Sequence, residues 1–397
     1  MISKTIKYVA AATVAMATLL GSVQAADVIT FGAVAPKTGP LSGGSAVSHW
    51  PSLQLWKHDV NSRGGINVNG KRMKVEIIEY DDQTNPGETA KAVQRAMSQD
   101  KVDFMIGPYG TGLVLAAAPL FNKNGYPMVN VAAISDKGPE LVRRWGNSFY
   151  LLGASTPFAK SVADTLTALN KAGKIGKRVA MVNVGDAFGI ELANAGRKAI
   201  KDAGFDIVYD TSYPLGTQDL APVIKGAKDA NPDAFIAWSY PPDTFGLTEQ
   251  AKIAGLNTKV FYVGVGSAFP AFAGKFGKSA EGVMGAGGVD PSTDKMKAYR
   301  KRHQEVTGKA ADYWGGPVTY SGLEILTQAI EAVGTNHQRV INHIKNGTFD
   351  TVMGTMRLKN NINENYWTVG QWQNGEFVGI ASTGKDGAKT PQIKNGW

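Results

Sequence analysis

The chain has 397 residues, with 42 Lys and Arg against 33 Asp and Glu, and it contains no cysteine. The lack of cysteine excludes disulfides and thiolate metal sites. The length exceeds the roughly 250 to 300 residues that one hydrophobic core usually serves, so two domains are expected. The basic residues are dispersed and form no box with aromatic residues, which argues against a nucleic-acid partner.

The N-terminal segment has the pattern of a secretory signal peptide. Lys4 and Lys7 precede an apolar stretch over 9–20, and small residues follow up to Ala25. That stretch is shorter than the roughly 20 residues that a membrane-spanning helix needs, so we expect cleavage rather than anchoring. The mature chain then begins near Asp27. Removing the two lysines from 42 basic residues leaves 40 against 33 acidic ones, a formal charge of +7.

Apolar, β-rich runs alternate with helical segments along the remaining chain, which is the pattern of parallel sheets covered by helices on both faces. The pattern restarts after Phe149, so two consecutive α/β units are predicted. Asn85 is the predicted N-cap of a helix that begins at Pro86. The predicted strands are 28–36, 74–82, 102–107, 127–133, 178–185, 206–214, 233–240 and 259–266. The predicted helices are 48–62, 85–100, 113–124, 190–204, 219–230, 245–255, 294–307, 318–333 and 338–345, followed by a β-rich tail over 354–381.

A glycine-rich loop with the sequence GPYGTG follows the third predicted strand, over 107–112. Its glycine spacing matches neither the dinucleotide fingerprint nor the Walker loop. A loop from a strand end into a helix N-terminus nevertheless directs free backbone N–H groups at whatever lies above it. The hydroxyl of Thr111 can cap that helix or contact an anionic ligand, and the local pattern leaves both roles open.

Signatures of catalysis and of metal binding are missing from the sequence. The five histidines form no H-E-x-x-H motif, and no G-x-S-x-G elbow occurs. The acidic pair Asp81 and Asp82 ends a strand, where a capping or solvated role is favoured over a cation site. We therefore expect no enzyme activity, no metal and no cofactor.

Aromatic side chains recur at or just beyond the predicted strand ends. In open α/β sheets the ligand crevice lies outside the carboxyl ends of the strands, so these side chains can converge there. Each one alone is explained as well by core packing, but together they favour a flat or apolar ligand. They are Trp50, Tyr109, Phe188, Trp238 and Tyr240.

Several motifs, in this order and spacing, resemble those of the periplasmic solute-binding proteins of branched-chain amino acid ABC transporters, and the resemblance covers nearly the whole mature length. They are TGP (38–40), NSRGGINVNGKRMKVEIIEYDDQTNP (61–86), IGPYGTG (106–112), PMVNVAA (127–133), DAFG (186–189), QAKIAGL (250–256), SAEGVMG (279–285) and DTVMG (350–354).

The resemblance implies a type I periplasmic binding fold, in which two doubly wound α/β/α lobes are joined by three hinge crossings. We expect the crossings near Gly153, near Gly285 and over 351–356. The implied division is a signal peptide over 1–25, a first lobe of 27–152 and 286–350, and a second lobe of 153–285 and 351–397. The implied partners are an inner-membrane permease and its cytoplasmic ATPase, and the receptor is expected to be a periplasmic monomer.

The same resemblance assigns the ligand site. A hydroxyl at the place of Thr111 and backbone groups near Ala132 and Ile134 hold a carboxylate in the family, and aromatic side chains stand at the places of Phe188 and Tyr240. The full expected lining is Tyr109, Gly110, Thr111, Ala132, Ala133, Ile134, Phe158, Phe188, Tyr240 and Val265.

Three positions depart from the amino-acid binders of the family. Ile134 stands where those binders use a hydroxyl, and Pro157 and Val265 stand where they use acidic groups for the α-ammonium. An ammonium buried against apolar side chains loses its charge partner, at a cost of several kcal/mol per ion. We therefore expect an aromatic or hydrophobic acid, benzoate-, phenylacetate- or cinnamate-like. The alternatives are an amino acid or amide within the family, a sensing domain of the same fold, and an exported α/β hydrolase.

Overall fold

The computed structural model describes residues 27–397, so the predicted signal peptide lies outside the described residues. The strands are β1 (Val28–Ala35), β2 (Ile66–Val68), β3 (Lys71–Asp81), β4 (Phe104–Ile106), β5 (Met128–Asn130), β6 (Ser148–Tyr150), β7 (Arg178–Val184), β8 (Asp206–Tyr213), β9 (Ala234–Trp238), β10 (Val260–Val263), β11 (Met284–Ala286), β12 (Phe349–Thr351), β13 (Gly354–Met356), β14 (Leu358–Lys359), β15 (Ile362–Asn363), β16 (Tyr366–Gln373) and β17 (Glu376–Thr383).

The helices are α1 (Ser42–Ser48), α2 (Trp50–Ser62), α3 (Pro86–Ser98), α4 (Thr111–Lys123), α5 (Gly138–Trp145), α6 (Ser155–Lys171), α7 (Ala187–Asp202), α8 (Ala221–Asp229), α9 (Pro241–Ala254), α10 (Pro270–Phe276), α11 (Asp294–Thr307), α12 (Gly315–Val333) and α13 (His337–Asn346). Within residues 27–397, no helix is both long and apolar enough to cross a membrane.

Two α/β/α lobes make up the fold. In the first lobe the strand orders are β2-β3-β1-β4 and β14-β15-β6-β5, and the two groups adjoin through β4 and β5. In the second lobe seven strands form one sheet in the order β17-β16-β11-β10-β9-β7-β8. Strands β8, β7, β9, β10 and β11 of that sheet are parallel, and β16 and β17 are antiparallel additions at its edge.

The central strands of the second lobe are apolar along their whole length. All residues of β9 and β10 are buried, including Phe235, Trp238 and Tyr262. A strand covered by helices on both faces has no solvent side, so it shows a continuous apolar run instead of alternation. This run made β9 and β10 recognisable in the sequence.

The chain crosses between the lobes after β6, after β11 and after β15. The third crossing differs from the expected position over 351–356, because β15 pairs with β6 and so remains in the first lobe. The β-rich tail joins the second lobe only from β16 onward, where it pairs with β11. We propose lobe boundaries of 27–152 with 290–363, and 153–289 with 364–397, because Val289 still pairs with Val378 of β17.

Gly153 and Tyr366 bring the first and third crossings together. Gly153 has a φ of 71°, in the left-handed region. A Cβ atom added to it would lie 2.3 Å from the Tyr366 hydroxyl. Only glycine accommodates both the backbone conformation and this close approach.

Most of the predicted helices and strands are present, and the local sequence features that predicted them have the expected structural roles. Asn85 caps α3 as predicted, since its side chain accepts hydrogen bonds from the N–H groups of Gly87 and Glu88. The predicted helix 48–62 corresponds to α2, which begins two residues later, and the short helix α1 before it was not predicted. Helix α6 was missed, although its apolar residues recur at helical spacing; they include Phe158, Val162, Leu166 and Leu169.

Candidate functional site

A cavity lies between the two lobes at the carboxyl ends of their parallel strands, where open α/β sheets bind ligands. It contains about 560 Å³ of empty space when its open mouth is included. Its lining is Ser48, Tyr109, Gly110, Thr111, Val131, Ala132, Ile134, Leu152, Phe188, Tyr240, Val265, Gly266, Ala268, Phe269, Trp314, Gly315 and Thr319.

The N-terminus of α4 reaches the cavity without a side-chain cap. Gly110 precedes the helix with a φ of 107°, and a Cβ atom there would lie 2.8 Å from Cδ1 of Leu41. Within residues 27–397, the N–H groups of Thr111, Gly112 and Leu113 have no hydrogen-bond partner. Free N–H groups and the positive end of the helix dipole make this helix start suitable for an anion.

The Thr111 hydroxyl joins the loop after β4 to the loop after β5. It accepts a hydrogen bond from the Ile134 N–H and donates one to the Ile134 carbonyl, both at 3.2 Å. The side chain is only 1% exposed. Thr111 therefore does not cap its own helix; it fixes the position of Ile134 at the cavity wall.

The second lobe contributes an aromatic pair. The rings of Phe188 and Tyr240 stack with centroids 4.7 Å apart and planes inclined by 29°. The Tyr240 hydroxyl donates to Oδ2 of Asp186 at 3.0 Å, and Oδ1 of Asp186 accepts from the Gly189 N–H as the N-cap of α7. Asp186 therefore both caps α7 and orients the stacked pair.

The start of α12 closes another side of the cavity. Asp312 accepts hydrogen bonds from the N–H groups of Gly316 at 2.7 Å and Trp314 at 3.4 Å. These bonds hold the turn that presents Trp314 and Gly315 to the cavity. Gly315 lies directly against Ser48 of α1, since a Cβ atom there would be 2.9 Å from the Cβ of Ser48.

Carboxyl groups stand behind the cavity wall, while the lining itself carries no formal charge within the described residues. Burial raises the pKa of Asp186, and it raises the pKa of Asp312 to about 7. Burial also raises the pKa of Asp243, which accepts from the Tyr240 N–H, to about 6. Hydrogen bonds from backbone N–H groups, and from tyrosine hydroxyls for Asp186 and Asp243, partly offset this effect, and within residues 27–397 no Lys or Arg is among the causes of the shifts.

His49 is the histidine nearest to the cavity. It is fully buried, in edge contact with Trp50 and Tyr109, and burial lowers its pKa to about 3. The ring is therefore neutral at physiological pH. Among residues 27–397, no group of three or more His, Asp or Glu side chains is arranged to hold a metal ion.

The structure brings eight of the ten expected ligand residues to the cavity. They are Tyr109, Gly110, Thr111, Ala132, Ile134, Phe188, Tyr240 and Val265.

Ala133 and Phe158 lie behind the wall. Ala133 packs with the side chains between α3 and α4, because neighbours in an extended loop face opposite sides. Phe158 lies on the buried face of α6, with its ring centroid 6.5 Å from that of Trp238 and 6.2 Å from that of Trp314. Pro157, one of the three departures from amino-acid binders, is also absent from the lining among the described residues.

Nine lining residues were not predicted. Three of them, Trp314, Gly315 and Thr319, belong to the start of α12, about 200 residues along the chain from the loop after β4. A capping signal was available there, since Asp312 precedes a Trp-Gly-Gly-Pro turn. The others are Ser48, Val131, Leu152, Gly266, Ala268 and Phe269.

Two comparisons at the level of sequence place this architecture among known proteins. A family model described as periplasmic binding protein matches residues 28–376. The Leu/Ile/Val-binding protein of Escherichia coli (strain K12) is 25% identical over 300 residues, which cover 75% of this chain and 78% of that protein.

Solved structures agree with the fold and differ in their ligands. A solute-binding protein of an ABC transporter from Rhodopseudomonas palustris BisB5, in complex with 3,4-dihydroxy benzoic acid, has a TM-score of 0.76 at 21% identity and covers 92% of this chain and 99% of its own. The branched-chain amino acid transporter substrate-binding protein from Streptococcus pneumoniae str. Canada MDR_19A, in complex with isoleucine, has a TM-score of 0.76 at 18% identity and covers 88% and 98%.

Proposed function

Because the chain belongs to the periplasmic binding protein family, whose members serve ABC transporters as solute-binding receptors, we propose that it binds a small aromatic or hydrophobic carboxylate between its lobes. Benzoate-, phenylacetate- and cinnamate-like acids are the members of this class that we propose. For a ligand of about ten non-hydrogen atoms, micromolar binding corresponds to about −0.8 kcal/mol per atom, which is within the range for small ligands.

The uncapped start of α4 is the observation that carries this proposal. Helices α7 and α12 also begin near the cavity, but an acidic side chain is already bound at each start: Asp186 accepts from the Gly189 N–H and Asp312 from the Gly316 N–H. Helix α9 begins with two prolines, Pro241 and Pro242, which have no N–H to offer. The start of α4 is thus the anion site that a ligand carboxylate can fill.

An aromatic body suits the rest of the cavity. Tyr109, Phe188, Tyr240, Phe269 and Trp314 contribute five aromatic side chains to the lining. Aromatic pairs in offset or edge contact add roughly 0.5 to 1.5 kcal/mol beyond the burial of their area. The complex of the R. palustris protein with 3,4-dihydroxy benzoic acid supports this ligand class by analogy of fold.

Hinge closure is the proposed binding movement. The ligand would contact the first lobe through α4 and the second lobe through Phe188 and Tyr240, and both sets of contacts exist only when the lobes are closed. The closed, ligand-loaded form would be what an inner-membrane permease with a cytoplasmic ATPase recognises. We propose that the receptor acts in the periplasm as a monomer.

An amino acid is the second candidate ligand. The similarity to Leu/Ile/Val-binding proteins and the isoleucine-bound structure from S. pneumoniae favour it. Against it, both oxygens of Asp186 already accept hydrogen bonds, and Val265 offers no charge to an ammonium. An ammonium buried without a partner costs several kcal/mol.

A ligand panel decides between the two. We expect calorimetry and thermal-shift measurements to detect binding of benzoate, phenylacetate or cinnamate, and no binding of leucine, isoleucine or valine. Benzamide is the matched control, because it keeps the ring and removes the carboxylate. Tight leucine binding without any response to the aromatic acids would overturn the proposal. Recovery of chemically unchanged ligand after incubation separates a receptor from an exported hydrolase.

A further inference from the structure

A carboxylate of the second lobe is bound by the first lobe outside the cavity. Oε2 of Glu191, on α7, accepts a hydrogen bond from the Ser135 hydroxyl at 2.8 Å and another from the Asp136 N–H at 3.1 Å. The Lys137 ammonium lies 3.9 Å from Oε1. Glu191 thus receives two charge-assisted hydrogen bonds and a nearby cation from three consecutive residues of the loop after β5.

This contact borders the ligand cavity but is not part of its lining. Ser135 directly follows Ile134, and Glu191 lies one helical turn after Phe188; Ile134 and Phe188 both line the cavity. The Glu191 side chain is only 17% exposed, so its charge is screened by solvent less than that of a surface ion pair. The two lobes must approach each other for the contact to form.

The other side of the same loop is fixed near a hinge crossing. The Asp136 carboxylate accepts hydrogen bonds from the Thr156 N–H and the Thr156 hydroxyl, both at 2.8 Å. Thr156 lies only three residues beyond Gly153, so a hinge rotation displaces it less than it displaces Glu191. Thr156 therefore holds the loop in position near the hinge, and Ser135 can bind Glu191 only when α7 approaches.

We propose that Glu191 is a latch for the closed form, which increases ligand affinity by stabilising closure without touching the ligand. This inference rests on the hinge closure proposed above. The apparent dissociation constant equals the intrinsic one divided by the fraction of binding-competent molecules. Loss of the latch lowers that fraction, so affinity falls although every ligand contact is intact.

The test measures the distance between two spin labels, one on each lobe. The sequence has no cysteine, so Lys91→Cys on α3 and Lys198→Cys on α7 give two unique spin-label sites; both lysines are exposed. In the ligand-free protein, Glu191→Gln and Ser135→Ala should each shift the distance distribution toward open lobes. Glu249→Gln is the control, because Glu249 is exposed and pairs with Lys275 inside the second lobe.

Benzoate then serves as the ligand probe. Glu191→Gln should weaken benzoate binding by about 10-fold, as expected for the loss of a charge-assisted contact. The double variant with Ser135→Ala should lose less than the product of the single losses, since both changes remove one contact. A ligand-free distance distribution identical to that of the parent protein overturns the latch. Failure of the parent protein to bind benzoate overturns the ligand class alone.

Discussion

Tyr240 is held in place by Asp186: its hydroxyl donates a hydrogen bond to Oδ2 of the carboxylate at 3.0 Å, while its ring stacks on Phe188. The carboxylate is already the N-cap of α7. One partly buried acid therefore joins the start of a helix to the aromatic wall of the cavity. The orientation of the ring depends on a group that does not itself line the cavity.

Tyr240→Phe is expected to separate ring packing from this hydrogen bond. The variant keeps the stacked ring but leaves Asp186 with one donor fewer, which should lower the free energy of unfolding by about 1 to 2 kcal/mol. Affinity for an aromatic acid should change less than threefold. Urea denaturation and calorimetry measure the two effects. A large loss of affinity with unchanged stability would mean that the hydroxyl contacts the ligand directly.

Thr111→Val is expected to affect both stability and binding. It leaves the N–H and carbonyl of Ile134 without their partner, at a cost of roughly 1 to 3 kcal/mol in stability. It should also weaken carboxylate binding by about 1 to 3 kcal/mol if the hydroxyl turns from the Ile134 carbonyl to the ligand charge on binding. Thr111→Ser keeps the hydroxyl and is the matched control. Unchanged benzoate affinity in the folded valine variant would restrict Thr111 to its bond with Ile134.

Gly110→Ala should destabilise the first lobe for two reasons: an unfavourable backbone conformation and a steric clash of the new Cβ atom. The residue has a φ of 107°, and the added Cβ would lie 2.8 Å from Leu41. We expect a loss of about 2 to 3 kcal/mol in the free energy of unfolding. Gly125→Ala is the control, since it also has positive φ but open space around it. Equal losses in both variants would assign the effect to backbone conformation alone.

Asp312 should make stability depend on pH. Burial raises its folded pKa to about 7, above the ordinary value of 3.8, so the folded protein binds this proton more tightly than the unfolded chain. The free energy of unfolding therefore falls as pH rises from about 4 to about 7, by at most roughly 4 kcal/mol from this group.

The variant Asp312→Asn tests whether this carboxyl causes the loss of stability with rising pH. Asp312→Asn should reduce the decline in melting temperature between pH 4 and pH 8, because it removes one titrating group while keeping an acceptor for Gly316. Part of the decline should remain, since burial also raises the pKa of Asp243 to about 6. Asp294→Asn, at a fully exposed position, is the control and should retain the slope of the parent protein. A slope as steep in Asp312→Asn as in the parent protein would contradict the assignment to this carboxyl.

The sequence predicted those parts of the site that follow a strand directly. Phe188 and Tyr240 come just after β7 and β9, whose apolar runs are long and clear, and Thr111 begins the helix after β4. Parallel strands place such residues at one edge of a sheet, so local patterns carry enough information. Resemblance to a family then supplied the two-lobed arrangement that brings the two edges together.

The sequence did not predict contributions that depend on long-range packing. Trp314 and Gly315 reach the cavity because α12 packs against α2 in the first lobe. The hydrophobic periodicity of the α12 sequence does not indicate this packing. The position of the third crossing was not predictable either, because β14 and β15 have two residues each and β15 is placed in the first lobe by the pairing of Ile362 with the distant Tyr150. Strands this short leave almost no pattern of alternation to detect.

The fit of Gly153 against Tyr366 has a mechanical consequence. Two of the three chain crossings touch at that point, so neither can bend without the other following. The lobes would then have fewer possible relative movements than if the three crossings could bend independently. In the hinge closure proposed above, a ligand in the open form would meet two walls whose approach is already restricted, so little orientational search would remain before the cavity closes.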